Sequence, residues 1–158
     1  IPKGQTLAVI GESGCGKTVL LKLMIGLLEP TNGEIFFDGL NLRQLDEHAL
    51  AEQRIRFGFV FQNAGLFDSM TVGQNVAFPL RQHRQLSPQA MADLVMARLS
   101  EVGLPDMVRA KKPAELSGGM RKRVGLARAL VMDPEKITGV DIAQEMIEQG
   151  RRKINNER

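Results

Sequence analysis

The chain has 158 residues, 43% of them apolar and 25% charged, with a net charge of +3. That length suits one globular domain with a core, not two large ones, and the interspersed charges make no case for nucleic acid or an anionic membrane as partner. No apolar run approaches a membrane span and no signal peptide is visible, while a single cysteine, Cys15, excludes an internal disulfide and fits a reducing cytosol.

The chain opens without methionine on "IPKGQTLAVIG" and is expected to be part of a longer protein. Thr6 to Ile10 is a short apolar run with strand composition, and "KTVLLKLMIGLL" from Lys17 is expected to be a buried helix. Between them stands "GESGCGKT", residues 11–18. Gly11, Gly16, Lys17 and Thr18 fill the spacing G-x-x-x-x-G-K-[ST] without a mismatch. Glycines let backbone N–H groups turn inward around phosphates, and the following helix aims its positive end at the same place. Gly11, Ser13, Gly14, Cys15, Gly16, Lys17 and Thr18 are therefore the expected nucleotide-binding residues. Lys17 is expected to reach the β- and γ-phosphates of ATP, and the Thr18 hydroxyl to ligate Mg²⁺. A plain glycine-rich turn is the alternative, but the flanking strand and helix are the context that phosphate binding requires.

Downstream, "EPTNGE" at 29–34 marks a turn and "EIFFDG" a strand ending in another. "RQLDEHALAEQRI" suits a surface helix and "RFGFVF", 56–61, a core strand. "SPQAMADLVMARLSEVG" carries Ser87 as N-cap, Pro88 at the first helical position and Gly103 as the stop. Its Met91, Leu94, Val95, Leu99 and Val102 fall on one face. After Pro113, "ELSGGMRKRVGLARALVM" reads as a loop, then a helix. A strand, phosphate loop and helix followed by a mostly helical insert imply a parallel α/β core with a helical subdomain.

"LSGGM", 116–120, could by itself be a serine N-cap at Ser117. Following Lys17 by 100 residues, with Gln62 of "FVFQN" ending a strand between them, it resembles the signature of the ATP-binding subunits of ABC transporters. The resemblance covers the chain to about Glu135. It implies a P-loop NTPase (RecA-like) core with a parallel sheet plus the ABC helical subdomain, here incomplete. Roughly 1–62 and 119–158 would form the core, and 63–118 the Q-loop and helical subdomain.

The resemblance further implies a homodimer that sandwiches two ATP molecules. Ser117, Gly118 and Gly119 would touch the γ-phosphate from across the dimer, and Gln62 would contact Mg²⁺ or the attacking water. Lys17, Gln62 and Ser117 are thus the catalytic candidates, with Thr18 and Gln62 at the metal. A membrane permease subunit would dock near the Q-loop, placing the protein peripherally on the cytoplasmic face of the inner membrane. No nucleic acid is expected. "FQNAGLFDSMTVGQNVAFPLR", 61–81, looks like the Mla/Mce group, whose ATPases power lipid transport. Leu66, Phe67, Val76 and Phe78 could equally be ordinary subdomain core, and importers for methionine or metals have similar stretches. A nucleotide-dependent switch without turnover, or an ABC ATPase acting on DNA or ribosomes, are rivals of other classes.

The family pattern then fails. After "ARALVMDPE" it continues with four apolar residues, Asp-Glu and a D-loop; here "KITGVDIAQEMIEQG" follows, with Ile142 where the glutamate belongs. The segment from Ile137 is expected to be an amphipathic helix with Ile142, Met146, Ile147 and Ile154 on one face, and Asp141 is not expected to serve Mg²⁺. The switch histidine is not found either, because His48 and His83 both precede the signature. Both are expected on the solvated surface, Arg121, Lys122 and Arg123 on a solvated helix face, and Met91, Met96, Met107 and Met120 as gap-fillers.

Overall fold

The computed structural model describes Gln5 and residues 7–10, 12, 14–134 and 136–139, the last four as backbone only. The chain divides into two compact units, Ile1–Arg54 and Ile55–Arg158.

In the first unit, helix α1 spans Lys17–Met24. Asp38 and Gly39, both at positive φ (49° and 80°), close a two-residue turn between strands β1 (Phe36–Phe37) and β2 (Leu40–Asn41), which pair antiparallel. Such left-handed turns match the twist of a hairpin, and Asp-Gly is a favoured sequence for them. Helix α2, Glu47–Ile55, starts where Asp46 Oδ1 accepts from the Ala49 amide at 2.8 Å. Arg54 on α2 donates to the carbonyls of Ile25 and Gly26, capping the end of α1. Ile25, Phe37 and Leu42 are buried.

Two expectations are corrected in this unit. Residues 7–10 join no ladder among the described residues, and Leu7, Val9 and Ile10 are exposed. An apolar run becomes a strand only by pairing, and the strands described in its own unit, β1 and β2, pair with each other. Helix α1 is shorter than expected and buries none of its residues, with Val19 and Leu20 exposed. The unit's own strands are two residues long, too short to cover a helix face.

The second unit begins with strand β3, Phe57–Val60. Helices α3 (Val72–His83), α4 (Pro88–Glu101) and α5 (Gly118–Leu130) follow, and strand β4 (Lys136–Gly139) returns parallel to β3, with Phe57 opposite Lys136 and Val60 opposite Gly139. A strand, a helical crossover and a parallel strand make the expected α/β arrangement. The core joins Val72, Val76 and Leu80 of α3, Val95 and Leu99 of α4, and Val124 and Ala127 of α5. Met91, Leu94 and Val102 pack against it, so the face expected on α4 is the buried one. Ser87 Oγ accepts from the Ala90 amide, Pro88 opens the helix, and Gly103 takes φ 68° beyond its end.

Strand β4 corrects the helix expected from Ile137. Ile137 and Thr138 are β-branched, and a four-residue ladder against β3 satisfies their backbone groups as a helix start could not. Asp141 and the helical positions Ile142, Met146, Ile147 and Ile154 lie outside the described residues. Arg121 and Arg123 are not on a solvated face. Both are half-buried and donate to backbone carbonyls, Arg121 to Leu116 at 2.7 Å and Arg123 to Gly103 at 2.9 Å. Met107 is 73% exposed and fills no gap. His48 and His83 are exposed as expected.

Candidate functional site

Gly14 and Gly16 hold φ of 85° and 92°, and a Cβ built on either would meet nothing within 4 Å. The loop therefore has a left-handed backbone that side chains resist and open space where they would stand. That is the form of an anion-binding nest. Gly16 is also the N-cap of α1 and offers no side-chain acceptor to the first-turn amides, so a phosphate meets no competitor from the cap. Lys17 Nζ donates to Glu12 O at 2.6 Å and lies 3.5 Å from Cys15 Sγ. The Cys15 amide donates to the same carbonyl at 3.3 Å. The ammonium is thus folded back over the loop rather than extended into solvent. Thr18 is exposed at the second helical position. A hydroxyl oxygen is a hard ligand of the kind that Mg²⁺ takes beside phosphates, so the donors present fit Mg-ATP. Gly11 and Ser13 lie outside the described residues.

In the second unit, Gln62 is exposed in the turn directly after β3 and Phe61. Ala64 N–H donates to Phe61 O at 2.9 Å, and Ala64 and Gly65 both take positive φ, 61° and 55°. A left-handed alanine costs roughly 1–2 kcal/mol, and Ala64 is also 1% exposed. The turn is held from α5. Arg128 Nη2 donates to Ala64 O at 2.8 Å and Nη1 to Gly65 O at 2.7 Å. Burial pushes the guanidinium down from its ordinary value, yet it stays charged at any physiological pH. A Cβ on Gly125 would stand 3.1 Å from Ala64 Cβ and 3.2 Å from its backbone, so a glycine there lets the turn lie against the helix.

Ser117 is the N-cap of α5 and its Oγ accepts from the Met120 amide at 3.3 Å. The bland role considered for this serine is therefore filled. Ser117, Gly118 and Gly119 are exposed, and a Cβ on Gly119 would meet nothing within 4 Å. Buried Leu116 fixes the loop from behind. The helix end is capped on one side and open on the other. Gln62 and the Ser117 helix end thus belong to one unit; the phosphate loop belongs to the other.

Two residues that shape the site escaped the sequence reading. Arg128 is one. Asn75 is the other: it is fully buried on α3, accepts from the Phe67 amide at 2.8 Å, and donates to the carbonyls of Phe67, Met70 and Thr71 at 3.0–3.3 Å. It ties the segment after the Gln62 turn to the helix that follows. The available signal was Thr71-x-x-Gln74, which forms a reciprocal capping box at the start of α3. Beside this helix, a cleft of about 480 Å³ lies between α3, α4 and the single turn Asp106–Ala110. Ala77, Leu86, Met91 and Val95 line it together with Arg81 and Arg109.

A family model described as "ABC transporter" matches residues 1–138. The chain belongs to the ABC transporter family. It is 47% identical over 137 residues to the probable ribonucleotide transport ATP-binding protein mkl of Mycobacterium tuberculosis (strain H37Rv), covering 87% of this chain and 38% of that one. It is 43% identical over 137 residues to the intermembrane phospholipid transport system ATP-binding protein MlaF of Escherichia coli (strain K12), covering 87% and 51%. The chain thus spans 38% and 51% of the length of these two curated relatives. Among solved structures, the dimeric bacterial ABC transporter cassette MJ0796 superposes with a TM-score of 0.90 at 30% identity, covering 99% of this chain and 72% of that one. A dimeric post-hydrolysis state of the same cassette with ADP and Pi gives 0.83 at 32% identity, covering 88% and 61%. This ABC chain therefore has the α/β fold of an ATP-binding cassette, as its motifs implied.

Proposed function

We propose that the chain is the nucleotide-binding part of an ATP-hydrolysing ABC subunit that drives lipid transport, working as a homodimer peripheral to the cytoplasmic face of the inner membrane. One observation carries the nucleotide assignment: the left-handed glycine loop with Lys17 folded over it at the start of α1. Gly11, Ser13, Gly14, Cys15 and Gly16 cradle the phosphates, and Lys17 binds the β- and γ-phosphates. Thr18 is assigned to Mg²⁺, and Gln62 to Mg²⁺ or the attacking water. When bound, the metal neutralises phosphate charge. The exposed helix end at Ser117, Gly118 and Gly119 serves the γ-phosphate of the partner's nucleotide, where backbone amides and the helix dipole favour an anion. The charge developing at the transferred phosphoryl group is met by fixed donors, the largest contribution proteins make to this chemistry.

Residues 1–62 and 119–158 are assigned to the core and 63–118 to the helical subdomain, with a permease subunit docking near Gln62. The cleft between α3 and α4 offers such a partner a concave, mostly apolar surface. The lipid assignment is supported by the segment 61–81 and by the printed function of MlaF. The ribonucleotide transport named for mkl keeps another cargo as the second reading. The test is the full-length protein assembled with its permease in phospholipid vesicles. ATP-dependent movement of labelled phospholipid, lost in Lys17→Ala, supports lipid transport. ATP hydrolysis stimulated by a ribonucleotide, methionine or a metal ion, with no lipid moved, contradicts it.

A further inference from the structure

Arg128 is the point at which α5 grips the Gln62 turn. Its two terminal nitrogens each hold one carbonyl, Ala64 and Gly65, more than sixty residues away in sequence. Those are the two residues with left-handed backbone, in a turn that a side chain at 125 would displace. Gln62 itself is exposed, two residues before the first of these carbonyls. The turn is closed by the Ala64 amide on Phe61 O, and Arg128 holds its far side. Without the guanidinium, Ala64 would be released from a conformation that an alanine leaves readily, and the direction in which the turn presents Gln62 would change with it. We propose that Arg128 is a positioning residue for Gln62, holding the Ala64–Gly65 turn so that the Gln62 side chain is presented at its working angle. The proposal rests on Gln62 acting at Mg²⁺ or the attacking water. It adds a second consequence: because α5 begins at Ser117, the Gln62 turn and the Ser117 helix end move as one body.

The test is a double-mutant cycle in the full-length dimeric protein, reading kcat, ATP affinity and thermal midpoint for Arg128→Ala, Gln62→Ala and the pair. A misplaced catalytic group costs on the order of a hundredfold. Arg128→Ala is therefore expected to lower kcat ten- to a hundredfold while ATP affinity stays within about twofold. The pair is expected to be no slower than the slower single variant, because both act through one side chain. A residue important only for stability would give multiplicative losses instead, and that result overturns the proposal. If Arg128→Ala does not fold, Arg128→Lys takes its place in the same cycle. A single ammonium cannot hold both carbonyls in the guanidinium geometry, so an intermediate kcat, again non-additive with Gln62→Ala, is expected. If Gln62→Ala slows turnover but neither Arg128 variant does, positioning fails and the role of Gln62 stands. If Gln62→Ala leaves kcat unchanged, the role of Gln62 fails, and the proposal with it.

Discussion

Lys17 shows how much chemistry one residue can concentrate. Its ammonium lies over the glycine loop, held at Glu12 O and beside Cys15. Lys17→Ala removes a charge-assisted contact worth roughly 1.5–3 kcal/mol, so ATP affinity should fall about ten- to a hundredfold. Calorimetry on the folded full-length variant checks this; unchanged affinity would refute the phosphate-loop assignment. Cys15 gives an independent reporter. Its side chain is exposed in the same loop, so a maleimide should label it, and Mg-ATP should slow the labelling by covering it. Equal rates with and without nucleotide would mean that Cys15 stands aside from the bound phosphates. The form of the glycine loop was legible because positive φ at Gly14 and Gly16 and a helix start at Lys17 have local causes in the residue types. Arg128 was not legible. Its partners are two backbone carbonyls distant in sequence, and no local pattern announces such a pairing.

The helices divide in the same way between local and distant causes. α4 could be read from Ser87, Pro88 and Gly103 alone, since caps and stops are local signals. α3 has a local start signal in Thr71 and Gln74, but Pro79 inside it argues locally against its continuation. A proline removes one helical hydrogen bond and crowds the carbonyl four residues back, here that of Asn75. What offsets the loss is tertiary: Val72 and Val76 are fully buried, and the Asn75 side chain makes four hydrogen bonds to 67–71. Asn75→Ala would take the side-chain partner from the Phe67 amide and the Met70 carbonyl, while the Phe67 and Thr71 carbonyls keep backbone donors. It should destabilise the protein by about 2–4 kcal/mol, read as a lower denaturation midpoint at unchanged slope. A loss under about 0.5 kcal/mol would mean that water replaces the amide and that the segment before α3 does not depend on it. β4 shows the reverse error. Apolar spacing beyond Ile137 suggested a helix, yet over Lys136–Gly139 the ladder with β3 decides. The periodicity of one strand does not say which distant segment it pairs with.

At the scale of the whole molecule, the family and the α/β cassette fold were legible because three motifs stand in order: the loop at 11–18, Gln62 and Ser117. Under the proposed function, how they cooperate depends on a second copy. Ser117 caps its own helix, and its exposed face is assigned to the nucleotide of a partner. The two roles separate in one measurement, the mass of the full-length protein in solution with Mg-ATP under conditions where hydrolysis is suppressed. The wild type should shift from monomer to dimer, and Lys17→Ala should stay monomeric because it cannot hold the nucleotide. Ser117→Arg should bind ATP with unchanged affinity yet also remain monomeric, because the bulk and charge at 117 block the closed interface. A Ser117→Arg protein that dimerises with Mg-ATP as the wild type does would show that Ser117 is a helix cap and nothing more, and would contradict the ATP sandwich.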